Sequence, residues 1–130
     1  VFVQTHTGNL IAIDAKTGKE LWSVPISGQA VATAAVKGDA AYVGTVTNDV
    51  LGFDLKGKKQ AWAFTPKVKA QPFYSSAAVT DSLVVLGSRD KKVYALDRTT
   101  GEPKWTFVTD GMVDAAPVVV TTPPLPASFR

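Results

Sequence analysis

Ala12-Ile13-Asp14-Ala15-Lys16-Thr17-Gly18-Lys19-Glu20-Leu21-Trp22 is written again as Ala95-Leu96-Asp97-Arg98-Thr99-Thr100-Gly101-Glu102-Pro103-Lys104-Trp105. Between them, Asp54 and Trp62 keep the same aspartate-to-tryptophan spacing, so one unit is written three times, with tryptophans 40 and then 43 residues apart. Self-similarity at that period marks a repeat architecture, in which each unit buries its apolar faces against its neighbours.

Each aspartate closes a short run with apolar residues at alternate positions, Asn9-Leu10-Ile11-Ala12-Ile13, Asp49-Val50-Leu51-Gly52-Phe53 and Lys92-Val93-Tyr94-Ala95-Leu96. A period of two reads as a strand. A polar turn and a second extended run through the tryptophan follow, which is a hairpin. Glycine there tolerates positive φ, and the carboxylate accepts turn amide protons. The middle copy has Gly52 for the alanine, and Gly57 comes one residue early without the threonine, so its turn is expected to have a different geometry.

Upstream of each hairpin lies a further strand pair, Thr33–Val36 with Ala40–Gly44 around Lys37-Gly38-Asp39, and Ser76–Val79 with Leu83–Gly87 around Thr80-Asp81-Ser82. Four antiparallel strands per repeat and no helical periodicity define an all-β chain of β-propeller blades. We label the strands A to D from the axis outward. Pro103 falls in strand D and Pro117 in an expected strand A, the places where a sheet has a free edge. Charge at the start of strand D, Lys19-Glu20, Lys58-Lys59, and Glu102 with Lys104, discourages edge pairing between molecules.

The full pattern resembles the tryptophan-docking repeat of the PQQ-like (quinoprotein and BamB-like) β-propeller superfamily, over residues 1 to about 120. No tryptophan is followed by aspartate, as a WD40 repeat would have it. The resemblance implies a ring, commonly of eight blades. It also implies an extracytoplasmic setting, periplasmic or at the cell surface, shared by quinoprotein dehydrogenases, outer-membrane assembly lipoproteins and kinase sensor domains. Fold alone does not choose among these activities.

The expected division is strands B to D of one blade over residues 1–26, full blades over 29–65 and 72–109, an extra strand A over 112–120, and a proline-rich tail over 121–130. That is three blades' worth of strands. A closed propeller takes roughly 160–320 residues at about forty per blade, and this chain has 130. Either it is a piece of a longer polypeptide, which Val1 in place of an initiator methionine favours, or copies complete a ring by exchanging strands. Both imply a protein partner or further copies, since an open array exposes apolar faces.

Fourteen basic and eleven acidic residues give a net charge of +3, spread over both loop faces. Nucleic-acid binding needs a concentrated basic stripe with stacking aromatics, so that partner is not expected. No apolar run reaches the roughly twenty residues that span a bilayer, so membrane insertion is not expected either.

No catalytic, cofactor or metal residues are assigned. The chain has no cysteine, the repeated aspartates are expected to serve turns, and His6, the single histidine, is a polar loop residue. The superfamily's enzymes hold PQQ and calcium, which makes a quinoprotein dehydrogenase the rival to a noncatalytic protein-interaction or scaffold role, with a ligand-sensing domain third. For contacts, the sequence points to the B-to-C loops, Thr47-Asn48-Asp49 and Arg89-Asp90-Lys91-Lys92. The D-to-A connection Pro66–Pro72, three residues longer than its counterpart, is a further place where recognition can be added.

Overall fold

The computed structural model describes residues 2–4, 7–67 and 69–121, the first three by backbone alone. His6 and residues 122–130 of the expected tail lie outside the described residues. Eleven strands follow in order: β1 Phe2–Gln4, β2 Asn9–Ile13, β3 Glu20–Pro25, β4 Ala35–Lys37, β5 Ala40–Gly44, β6 Val50–Asp54, β7 Lys59–Phe64, β8 Ala78–Val79, β9 Leu83–Ser88, β10 Lys92–Asp97 and β11 Pro103–Val108. They form three antiparallel meanders, β1-β2-β3, β4-β5-β6-β7 and β8-β9-β10-β11. The second and third sheets are A-B-C-D blades, and the first holds a B-C-D set.

The chain builds its core between sheets. Leu10 of the first blade packs with Ala41, Val43, Leu51 and Phe53 of the second. Tyr42 and Val50, on the opposite face of that second sheet, pack with Val84, Leu86, Tyr94 and Leu96 of the third. Adjacent strand residues thus point into two different cores, and Val50–Phe53 is buried without a break because this sheet has a neighbour on each side.

All three C-to-D hairpins share the aspartate's bonds to the turn. The aspartate Oδ1 accepts from the backbone N–H groups two and three residues on, at 2.7 and 3.1 Å for Asp14, 3.1 and 3.0 Å for Asp54, and 2.8 and 3.0 Å for Asp97. The N–H groups of Thr100 and Thr99 hold the Asp97 carboxyl below the usual carboxylate range. Four residues after the aspartate the backbone turns left-handed, at Gly18 (φ 70°), Lys58 (φ 53°) and Gly101 (φ 78°). The middle turn keeps this frame despite its early glycine, but its ladder runs on to Asp54 with Lys59, where the other two end at Ile13 with Glu20 and at Leu96 with Pro103. The left-handed position is fixed by distance from the aspartate, and Lys58 adopts it although a side chain is strained there. Each copy also has a register shift just before its aspartate, between Ala12/Ile13, Gly52/Phe53 and Ala95/Leu96.

The strand A expectations need adjustment. β4 and β8 are shorter than the runs 33–36 and 76–79. Residues 112–120 are assigned to no strand, so Pro117 is in none. Val113 N–H still donates to Ser88 O at 3.1 Å, as Phe73 N–H donates to Thr45 O one blade earlier. Val118 and Val119 therefore occupy the repeat positions of Ala78 and Val79, no strand pairs with them among the described residues, and they are 84% and 46% exposed.

Candidate interaction surface

Where blades two and three meet, the Trp62 indole Nε1–H donates to Arg98 O at 3.1 Å. Its ring lies between two glycines. A Cβ on Gly52, its partner in the ladder, would come within 2.2 Å of the indole, and one on Gly101 of the next blade within 2.4 Å. Trp22 stacks at 6.5 Å on Phe53 of the second blade. Trp105 is 47% exposed.

The B-to-C loops divide between scaffold and surface. Asn48 is buried in a left-handed conformation (φ 81°), and its amide reaches Pro66 O and Gln71 N–H at 3.5 and 3.3 Å. It fastens the long Pro66–Pro72 connection, of which Val68 lies outside the described residues. Asp49 accepts from the Thr65 hydroxyl at 2.5 Å. Both stand among the expected contact residues, and both serve the scaffold.

In the equivalent loop of the third blade, the Arg89 guanidinium donates to both Asp114 oxygens at 2.9 and 2.8 Å and lies 4.2 Å over the Tyr74 ring. Asp114 is held below its ordinary carboxylate range by that guanidinium. The Tyr94 hydroxyl donates to Asp90; burial first, and that carboxylate second, push the phenol well above its usual range. The other Asp90 oxygen is buried without a protein hydrogen-bond partner. Lys91 takes the left-handed position (φ 67°) and is exposed.

Two openings flank the joint between the second and third blades. One, of about 330 Å³, lies beside Tyr42, Trp62 and Arg98 at the A-to-B turn. Burial raises the Tyr42 phenol, opposed by Arg98. The other, of about 770 Å³, lies at the opposite end, over Phe64, Pro66 and Tyr94, with Lys67 and Lys92 in its wall. This groove is invisible in the sequence, although both lysines stand in the segments singled out for contacts.

Among the described residues, no group of three or more His, Cys, Asp or Glu could hold a metal ion, and Asp14, Asp54 and Asp97 are spent on turn amides. These donors do not fit a quinone–calcium site. No helix among the described residues is long and apolar enough to cross a membrane, which says nothing of β-barrels.

Radially docked four-stranded sheets joined through indoles at repeat positions define the β-propeller class with PQQ-like blades. The chain belongs to the family described as outer membrane protein assembly factor BamB, which matches residues 1–106 and 61–123. It is 32% identical over 107 residues to that factor from Burkholderia pseudomallei (strain K96243), covering 82% of this chain and 27% of the relative. It is 35% identical over 120 residues to the serine/threonine-protein kinase AfsK of Streptomyces griseus, covering 85% and 15%. To the quinohemoprotein alcohol dehydrogenase ADH IIB of Pseudomonas putida it is 27% identical over 128 residues, covering 84% and 19%. The crystal structure of BamB from Moraxella catarrhalis superposes with a TM-score of 0.72 at 30% identity, over 81% of this chain and 33% of that one. The chain thus spans about a quarter of the length of the first of these relatives.

Proposed function

We propose that these blades form a noncatalytic protein-interaction part of an extracytoplasmic propeller, on the periplasmic or cell-surface side, that serves an assembly factor. The carrying observation is the family match across residues 1–123. The internal chemistry agrees with it. The repeated carboxylates hold turns and Asn48 holds a connection, while exposed loop residues and edge strands are left for contacts. Further blades or copies cover the outward face of the third blade.

The dehydrogenase relative supplies a second reading, a segment of a PQQ- and calcium-dependent enzyme. Incubation with PQQ and calcium followed by gel filtration separates the two. The scaffold role expects no quinone absorbance in the protein peak, and a stoichiometric retained quinone overturns it.

A further inference from the structure

The blade joints are repeats of one another, so a difference between them isolates what one joint has acquired. At the joint of blades one and two, Ser27 donates to Gln60 at 2.8 Å across the gap. Within blade two, the Thr65 hydroxyl donates to Asp49 at 2.5 Å. One repeat later, counting from the tryptophans, these four positions are Lys67, Pro103, Lys92 and Val108. None of those bonds can form there. Proline and valine offer no side-chain polar atom, and two amines replace a hydroxyl and a carboxylate.

All four line the groove of about 770 Å³, within the usual range for a ligand cleft. Phe64, Pro66 and Tyr94 supply apolar surface. Among the described residues no carboxylate lines it, and Asp90 accepts from the Tyr94 hydroxyl. Among the described residues neither Lys67 nor Lys92 joins an ion pair. The lengthened connection starts at this wall, with Pro66 and Lys67. The opposite rim is β11, the outermost strand of its sheet, which leaves a row of backbone N–H and C=O groups without strand partners.

We infer that this groove binds an extended peptide segment of a partner protein, one that alternates apolar and acidic residues. Apolar side chains settle against Phe64 and Tyr94, carboxylates meet Lys67 and Lys92, and the peptide backbone pairs with β11. The inference rests on the protein-interaction role and adds the site and the chemistry of the partner. Both walls are complete blades, so the groove does not depend on what covers the third blade.

The probe is a fluorescein-labelled decapeptide of alternating valine and glutamate, titrated with the intact protein and read by anisotropy. Binding is expected to weaken at least about tenfold in Lys67→Glu/Lys92→Glu, in high salt, for the valine–lysine peptide and for a peptide N-methylated at alternate residues. Circular dichroism of the variant, whose changes lie on exposed or half-exposed side chains, confirms that it folds. Equal binding by wild type and variant overturns the proposal, as does equal binding of the two peptides. Indole-3-butyrate competing as well as unlabelled peptide also overturns it, in favour of a small-carboxylate pocket. A natural partner that binds wild type and variant alike defeats the groove and leaves the interaction role standing, whereas retained PQQ defeats that role.

Discussion

The third-blade-facing side of the second blade and the outward side of the third present the same repeat positions in opposite circumstances. On the former, Trp62 has its N–H on Arg98 O and its ring between Gly52 and Gly101. Phe64 meets Tyr94 with ring centroids 5.5 Å apart. On the latter, Trp105 and Phe107 are 47% and 63% exposed. A blade's side chains are therefore built for a neighbour, and the stability they confer belongs to the pair of blades.

The largest effect expected is at these tryptophans. Trp62→Ala costs about 3–5 kcal/mol, as removal of a large packed aromatic does. Trp105→Ala in this chain costs under about 1 kcal/mol, since an exposed side chain has little packing to lose. Urea unfolding of both variants measures the gap. Equal losses would break the comparison, whereas a longer polypeptide that supplies the next blade should raise the Trp105 cost to the Trp62 value.

The turn glycines give the next effect. Gly101→Ala places a methyl against the Trp62 ring and strains a left-handed residue, for about 2–4 kcal/mol in sum. Gly18 has the same φ sign, but a Cβ there would meet nothing within 4 Å, so Gly18→Ala carries the strain alone, about 1 kcal/mol. Lys58→Gly works in the other direction. It relieves the left-handed lysine at some cost in unfolded-chain entropy, for a net gain of about 0.5–1 kcal/mol. Thermal unfolding ranks the three, and a destabilised Lys58→Gly would show that the lysine side chain contributes packing of its own.

The repeat was legible because its marks are local. An aspartate that caps a turn, a residue in left-handed conformation and a ladder partner for tryptophan sit within nine residues of one another. Gly52 reads as a defect in the pattern, and only the packed joint shows the glycine as the seat for an indole that a Cβ would displace. Lys58 misleads for a related reason: threonine and glycine advertise a turn that the aspartate alone can impose. The groove was not legible, because Lys67 and Lys92 belong to different blades and line one opening only once the blades dock. Asn48 looks like a surface residue in sequence, and its burial and hydrogen bonds involve a connection about twenty residues away.

The smallest expected effect lies where the covered and open sides touch. Arg89 stacks on Tyr74, in the connection that leads into the third blade, and pairs with Asp114, in the connection that leaves it. Since 74 and 114 are the same repeat position, one guanidinium clasps successive connections, and on the open side it is the ion pair that holds the departing chain. The Asp114 pKa is lowered in the folded state, so the pair's contribution is present above the unfolded carboxylate value, near about 3.9, and is lost as pH falls through the folded value. Asp114→Asn should therefore lower the melting temperature slightly at neutral pH and not at all at the acid end, where wild type and variant converge. A difference that persists or grows on acidification would show that the clasp acts through packing on Tyr74 instead of through charge.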